Sequence, residues 1–361
     1  MKVGLLGFPK VGKTTLLNIL TGAHIAVDKY ASGKSQPNVG VARVPEPRLD
    51  RLAEMFHPKK TTYAQIDFLD IQGLQKGEAK DALDLKEMRN VDAIAHVVRA
   101  FRDPEIAHSE GTIQPKRDLE TMETELILAD LDVAQRRLER LELNIKKMKN
   151  KDDEAELPIM KRCLEALEKE IPIREVDLQD DEIRKIRGFA FLTAKPLLII
   201  INLDEADVRT IPTFVADLGL ERHAERRQMA LCAISAKVEE EIAALEPADA
   251  RAFLEDLGLR EPAKDRLIRA AFGLLGLIQF FTAGEDECRS WPIRIGTRAP
   301  RAAGAIHSDI ERGFIRAEVV TYDDLIAAGS LAAARERARL RAEGKEYVVK
   351  DGDVINFRFN V

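Results

Sequence analysis

The stretch that decides the fold is residues 7–14, Gly-Phe-Pro-Lys-Val-Gly-Lys-Thr, which follows an apolar run and precedes an apolar helical pattern. This G-x-x-x-x-G-K-[ST] spacing is the signature of a phosphate-binding loop, or P-loop. Its glycines let the backbone curl so that successive N–H groups point at phosphate oxygens, and the positive end of the following helix faces the same anions. Lys13 would reach the β and γ phosphates, and the Thr14 hydroxyl would bind Mg²⁺. We therefore predict that a nucleoside triphosphate is bound by Lys10, Val11, Gly12, Lys13, Thr14 and Thr15.

Short apolar runs of the kind expected for strands buried on both faces recur along the chain. They alternate with helical patterns in the first third of the sequence and again after residue 190, which predicts an α/β fold with a parallel sheet. The runs are Lys2–Phe8, Gln65–Leu69, Ala93–Val98, Leu197–Asn202 and Leu231–Ser235.

Besides the Thr14 hydroxyl, a P-loop protein is expected to have a carboxylate on the metal side of the site. The stretch Asp70-Ile71-Gln72-Gly73 supplies a candidate at the end of an apolar run. Asp70 would hold Mg²⁺ through water, and the Gly73 N–H would contact the γ-phosphate. Taken alone, D-x-x-G is common in turns. Its position after a P-loop and at the end of a strand favours the metal role.

The base-binding element should follow a later strand, and Asn202-Leu203-Asp204-Glu205 is the candidate. GTPases normally carry Asn-Lys-x-Asp there, with the Asp carboxylate accepting two hydrogen bonds from guanine. Here Leu203 stands at the Lys position and Glu205 at the Asp position. The additional methylene displaces the carboxylate and spoils that paired hydrogen bonding, so guanine specificity is not expected. Ser235 and Ala236 follow the next strand and would support the base.

Between the two halves of the α/β pattern lies a segment with heptad spacing, which predicts two helices forming an antiparallel coiled-coil hairpin around a polar break at 150–154. Each seam is short, so two ordinary packed helices are the alternative. The apolar positions are Leu131, Ala134, Leu138, Leu141, Ile145 and Met148, then Leu157, Met160, Leu164, Leu167 and Ile171.

The pattern changes again after about residue 277, where we predict a small α+β module. Strands are expected at Phe280–Gly284 and Trp291–Arg294, a loop at Gly296–Gly304 and a charged helix at Leu331–Ala342. A hairpin is expected around Asp351-Gly352.

The composition of the chain excludes several classes of protein. No apolar run approaches the length of a membrane span, and the net charge of −6 gives no global attraction to nucleic acid or membrane. Three distant cysteines and six scattered histidines fit neither a disulfide framework nor a zinc site, which indicates a cytoplasmic protein with reduced thiols. Four arginines in the tail permit a local RNA face but are more often solvated: Arg298, Arg301, Arg312 and Arg316.

Several stretches together make the chain resemble the YchF-type subfamily of Obg-related P-loop NTPases, the Obg-like ATPases, over nearly its full length. Besides the P-loop, they are Pro37–Val41 with Pro45–Leu49, Asp70–Leu74, His96–Phe101, Thr124–Asp132, Asn202-x-x-Glu205, Phe281–Gly284 and Asp351–Phe357.

The resemblance implies a Ras-like P-loop domain at 1–117 and 190–276, a coiled-coil insertion at 118–189 and a C-terminal TGS domain of β-grasp type at 277–361. It also implies Mg²⁺ with ATP or ADP as the ligand, ATP in preference to GTP, and association with the ribosome or RNA. We expect a cytoplasmic monomer that does not bind membrane.

Departures from the family pattern bear on catalysis. Leu74 replaces the water-orienting Gln of Ras-type enzymes, as in the family, for which a His matching His108 has been suggested instead; a solvent-exposed loop His is the alternative. Lys34, next to Ser35, occupies the position of the switch Thr, and Glu78–Ala82 stands where the family has a Gly-rich run. Both switch regions are therefore divergent.

Lys10 occupies a P-loop position where the family often has Asn, a residue that helps to hold a monovalent cation. Its ammonium could replace that ion or could be a solvated surface group, which puts a potassium dependence in doubt.

Two functions remain open from the sequence. The first is slow ATP hydrolysis as a conformational switch, with Lys13, Mg²⁺ and P-loop amides neutralising developing charge and His108 or a partner positioning water. The second is a nucleotide-gated binding module with little or no hydrolysis, which the altered switches favour. A P-loop kinase of small molecules is a third option, and the TGS-like tail argues against it.

Overall fold

The computed structural model describes residues 1–23, 25, 38–71, 83–147 and 150–360. These residues form two compact units: an N-terminal unit of residues 1–42 and 67–274, and a C-terminal unit of residues 43–66 and 275–361. No helix in the described ranges has the length and apolar character needed to cross a membrane.

Within the described residues the strands are β1 (Lys2–Leu6), β2 (Asn38–Arg43), β3 (Lys60–Thr62), β4 (Gln65–Asp70), β5 (Ala93–Arg99), β6 (Leu197–Asn202), β7 (Met229–Ile234), β8 (Leu277–Thr282), β9 (Glu287–Arg294), β10 (Phe314–Thr321), β11 (Arg341–Glu343) and β12 (Asp353–Phe359). The α-helices of the first 186 residues are α1 (Lys13–Thr21), α2 (Pro47–Phe56), α3 (Leu83–Arg89), α4 (Pro115–Lys147), α5 (Lys151–Glu168) and α6 (Asp180–Ile186). The later ones are α7 (Phe214–Asp217), α8 (Glu221–Ala224), α9 (Ala236–Ala244), α10 (Pro247–Asp256), α11 (Ala263–Leu274), α12 (Ala299–Ile306), α13 (Ser308–Arg312), α14 (Tyr322–Ala328) and α15 (Leu331–Glu336).

The sheet of the N-terminal unit has six strands in the order β2-β4-β1-β5-β6-β7. Its pairs β1–β4, β1–β5, β5–β6 and β6–β7 are parallel. Every residue of β5 and β6 is buried, as continuous apolar runs in a parallel sheet predict. The carboxyl ends of β1, β4, β5 and β6 therefore meet at one edge of the sheet, which is where the P-loop lies.

The helical hairpin predicted between the two halves of the sheet is confirmed as α4 and α5. Most of the predicted seam residues pack into one cluster, which Cys163 joins. Ile145 is not among them, and the prediction was wrong for Ile171, which follows the end of α5 and is exposed. The polar break was predicted too late in the chain. Asn150 is the N-cap of α5 and accepts a hydrogen bond from the N–H of Asp152, so 151–154 already form the acidic first turn. Met148 lies outside the described residues.

The C-terminal unit is the predicted α+β module, built on a mixed sheet in the order β11-β10-β12-β8-β9-β3. It has a core on each face of the sheet, because neighbouring residues of β12 point to opposite sides. Ile355 packs into one cluster with α12, and Val354 packs into another with Leu49 and Leu52 of α2.

Residues 43–66 belong to this C-terminal unit. They include α2 and strand β3, which pairs in parallel with β9. The domain division predicted from the sequence placed them in 1–117; the boundaries remain a prediction, and the compact units divide the chain differently at this point.

Three expectations for the tail were wrong. Residues 299–306 form helix α12 instead of a loop, because Pro300 occupies its first turn and alanines dominate the rest. The charged helix α15 ends at Glu336, and 341–343 are strand β11. Asp351-Gly352 is a turn before β12 but not a hairpin, since β12 pairs with β10 and β8.

Candidate nucleotide site

The P-loop connects β1 to α1 through a backbone that needs its glycines. Gly7 has φ 151° and Gly12 has φ 97°. A Cβ on Gly7 would collide with the carbonyl oxygen of Val97, and a Cβ on Gly12 would lie 2.6 Å from the Asn202 side-chain amide. Both glycines are therefore required by close approach as well as by the left-handed backbone.

Lys13 begins α1, and its side chain turns back into the loop. Its Nζ donates hydrogen bonds to the carbonyl oxygens of Gly7 (3.0 Å) and Phe8 (2.9 Å). Burial lowers the pKa of Lys13 to about 8, against the attraction of Asp70, which acts in the opposite direction. The loop thus holds a desolvated ammonium beside the N-terminus of a helix, which is an arrangement that favours polyphosphate.

Thr14 and Asp70 are brought together by the sheet. Asp70 ends β4 and is level with Leu5 of the neighbouring strand β1. The Thr14 hydroxyl donates a 2.6 Å hydrogen bond to Asp70 Oδ2. A hydroxyl and a carboxylate are oxygen donors of the kind that Mg²⁺ takes together with water and phosphate oxygens, so this pair fits the expected metal.

Asn202, at the end of β6, connects the two loops of the site. Its Nδ2 donates to the carbonyl oxygen of Val11 (3.1 Å), and its Oδ1 accepts from the N–H of Ala236 (3.1 Å). Leu203 is buried, and its N–H donates to the carbonyl oxygen of Ile234 at 2.7 Å. The amide of Asn202 therefore holds the P-loop at a set distance from the loop that begins α9.

Glu205 forms an ion pair with Lys237, with Oε2 2.7 Å from Nζ. Both side chains are exposed, and the carboxylate raises the pKa of Lys237. Nearby, the buried hydroxyl of Ser235 has no hydrogen-bond partner within the described part of the chain. Ser235 thus offers a donor and acceptor to a ligand.

These residues surround a cavity of about 720 Å³, a volume suited to a cofactor-sized ligand. Of the predicted site residues, Val11 and Asp70 lie behind the lining, and Gly73 lies outside the described residues. The lining is Lys10, Gly12, Lys13, Thr14, Thr15, Phe101, Arg102, Asp103, Pro104, Glu105, Ile106, Asn202, Leu203, Asp204, Glu205, Ser235, Ala236, Lys237 and Glu240.

Lys10 is exposed, lines the cavity and has φ 63°. This left-handed conformation disfavours Lys and suits Asn, the residue that often stands here in the family. Lys10 is therefore held in a strained backbone at the edge of the site. Both interpretations of its ammonium remain open.

His108 does not line the cavity. Its side chain is buried, with Nε2 2.9 Å from Asp118 Oδ2 at the start of α4, and its Nδ1 accepts a hydrogen bond from the N–H of Glu110. It is therefore not the solvent-exposed loop His of the alternative interpretation, and its catalytic role remains a prediction.

The switch positions Lys34, Ser35, Leu74 and 78–82 lie outside the described residues. Sequence reasoning also missed a wall of the cavity, the loop 101–106 after β5. The available signal was its position after the carboxyl end of an apolar strand, where ligands of open α/β sheets bind.

Comparisons with known proteins agree with this geometry. A family model described as 50S ribosome-binding GTPase matches residues 2–134, and the C-terminal domain model of the YchF GTPases, described as a protein of unknown function, matches 277–360. The ribosome-binding ATPase YchF of Bacillus subtilis is 43% identical, with the whole of both chains covered. The chain belongs to the YchF family.

Two further relatives support that membership. The ribosome-binding ATPase YchF of Pasteurella multocida is 44% identical over 100% of this chain and 99% of its own. A solved structure of the Schizosaccharomyces pombe YchF GTPase superposes with a TM-score of 0.87 at 32% identity, covering 99% of this chain and 97% of that one. The family membership and the fold class predicted from the sequence are thus confirmed.

Proposed function

We propose that the chain is an ATP-binding P-loop NTPase that slowly hydrolyses ATP as a conformational switch. The observation that carries the proposal is the P-loop at the cavity, with the Lys13 ammonium and the Thr14–Asp70 pair on the phosphate side. Lys13 would bind phosphate oxygens, Thr14 and Asp70 would hold Mg²⁺, and the metal would supply charge neutralisation.

A low intrinsic rate is part of the proposal. His108 lies against Asp118 and does not line the cavity. The side chain of Leu74 has no polar group with which to position water. Catalysis would then rest on electrostatic stabilisation by the P-loop, with water positioned by His108 after a rearrangement or by a partner. The alternative, a binding module with little or no hydrolysis, is favoured by the divergent switch positions and by the position of His108 outside the cavity lining.

ATP is proposed in preference to GTP because the Glu205 side chain is one methylene longer than the Asp that binds guanine in GTPases. Its carboxylate also forms an ion pair with Lys237. The names of the relatives do not agree on the nucleotide, since the bacterial proteins are called ATPases and the Schizosaccharomyces pombe protein a GTPase.

The ribosome is proposed as partner because the bacterial relatives are named ribosome-binding. A ribosome partner fits the proposed cytoplasmic location, and we propose that the chain acts as a monomer. An RNA face on the four tail arginines receives less support, since each is paired with a carboxylate: Arg298 with Glu346, Arg301 with Glu311, Arg312 with Asp309 and Arg316 with Glu318.

A single-turnover assay with γ-labelled ATP, with and without ribosomes, tests hydrolysis. We expect slow release of labelled phosphate that ribosomes accelerate and that Lys13→Ala abolishes. Tight ATP binding without release under either condition would reject the enzyme and leave the binding module. Absence of both binding and release would reject the whole proposal.

A further inference from the structure

The loop that follows β5 is held in shape by one buried side chain. Arg99, the last residue of β5, is 2% exposed. Its Nε donates to the carbonyl oxygen of Phe101 (3.1 Å), its Nη1 to that of Ile106 (3.0 Å) and its Nη2 to that of Asp103 (3.4 Å). Arg99 does not itself line the cavity, whereas all of 101–106 does.

Burying a guanidinium costs free energy, because its charge loses contact with water, and the same burial lowers the pKa of Arg99. These three hydrogen bonds go to backbone carbonyls of a single loop. The planar fork of an arginine spreads its donors over three nitrogens, so it can reach carbonyls that lie too far apart for a single ammonium. The guanidinium also lies 4.5 Å from the centre of the Phe101 ring, so it fixes a side chain of the cavity wall as well.

Three backbone N–H groups at the start of this loop are held by residues on the base side of the site. The N–H groups of Ala100 and Phe101 donate to the carbonyl oxygen of Asn202 at 2.8 and 3.0 Å. The N–H of Arg102 donates to Asp204 Oδ2 at 3.1 Å. Loop 101–106 is thus tied to the end of β6 and the segment after it. The phosphates of the ligand would instead be bound by the P-loop.

We propose that Arg99 is a positioning residue for the nucleoside half of the ligand. It sets the shape of loop 101–106 and through it the affinity for base and sugar, while the P-loop binds the phosphates independently. This inference rests on the proposed ATP site and adds a determinant of its nucleoside affinity.

The test compares ATP with inorganic tripolyphosphate, both with Mg²⁺, by isothermal titration of the full chain. Arg99→Lys keeps the charge but cannot reach three carbonyls. It should weaken the binding of ATP about tenfold, as expected for the net loss of roughly one hydrogen bond. The affinity for tripolyphosphate should change by less than about twofold. Arg89→Lys is the matched control, since Arg89 bonds Asp130 and two carbonyls outside the cavity, and it should alter neither ligand.

Pro104→Gly gives a second perturbation that removes no buried side chain, because Pro104 is an exposed residue of the same loop. It frees the loop backbone and should reproduce the selective loss of ATP affinity. Equal weakening of both ligands in folded Arg99→Lys, or unchanged ATP affinity in both loop variants, would overturn the inference. A wild-type chain that binds tripolyphosphate but not ATP would instead overturn the proposed function.

Discussion

The buried ammonium of Lys13 makes nucleotide affinity depend on pH. Burial lowers the pKa of Lys13 to about 8 in the free protein, and a bound polyphosphate favours the protonated form. Above pH 8 the free protein has lost this proton and must regain it on binding. At pH 9 about one tenth of the molecules carry the charge, so the Kd for Mg-ADP should rise about tenfold relative to pH 7.

Isothermal titration with Mg-ADP between pH 7 and pH 9 measures this effect. The terminal phosphate of ADP, with a pKa of about 6, is about nine-tenths ionised at pH 7 and fully ionised above pH 8, so it contributes little to the change between pH 7 and pH 9. At pH 9, buffers of different ionisation enthalpy should reveal uptake of about 0.9 proton on binding. The uptake reports on the same group independently of the affinity.

Two variants isolate Lys13 as the titrating group. Lys13→Arg keeps its charge throughout the range, so its affinity should show no comparable pH dependence. Asp70→Asn removes the negative charge that raises the pKa of Lys13, so the loss of affinity should begin at lower pH than in the wild type. A wild-type Kd that changes less than about twofold from pH 7 to pH 9, without proton uptake, would refute the reasoning.

Three further outcomes are expected. Asn202→Ala removes the hydrogen bonds that Asn202 makes to the P-loop and to the loop that begins α9. It should lower the free energy of unfolding by about 1–3 kcal/mol in chemical denaturation and should also weaken nucleotide binding. Unchanged stability would contradict the connecting role of Asn202. Glu205→Asp combined with Leu203→Lys should raise the affinity for GTP relative to ATP in competition titrations, and an unmoved ratio would reject the account of base selection. Lys10→Asn relieves a left-handed Lys and should introduce a potassium dependence of hydrolysis if the Lys10 ammonium replaces a cation; indifference to potassium would make Lys10 a surface group.

Much of the phosphate side could be predicted because its determinants are local. Gly7, Gly12, Lys13 and Thr14 act through backbone conformation and spacing within eight residues. Asp70 was accessible because parallel strands bring their carboxyl ends to one edge. Most of the helical seam followed from periodicity, although Ile171 lies beyond the end of α5. The turn was misplaced because acidic residues that look like a polar break also suit a helix N-terminus.

The base side was less accessible. The sequence shows that Glu205 departs from the GTPase pattern, and its part in base selection stays a prediction. Its ion pair with Lys237 joins two segments 32 residues apart and depends on side-chain geometry, which the sequence does not record. His108 was assigned to catalysis, whereas its buried contact with Asp118 depends on how the loop meets α4. The role of Arg99 was invisible because its partners are backbone carbonyls, which carry no sequence signal.

The sequence by itself determined that a P-loop connects a strand to a helix, because the P-loop needs its glycines, lysine and threonine at one spacing. Only the tertiary structure decided that 43–66 joins the core of the C-terminal unit and that Arg99 shapes the cavity wall. The first kind of information resides in contacts between near neighbours, which a motif records. The second arises when distant segments pack and bury one another, and no local pattern encodes which of them will meet.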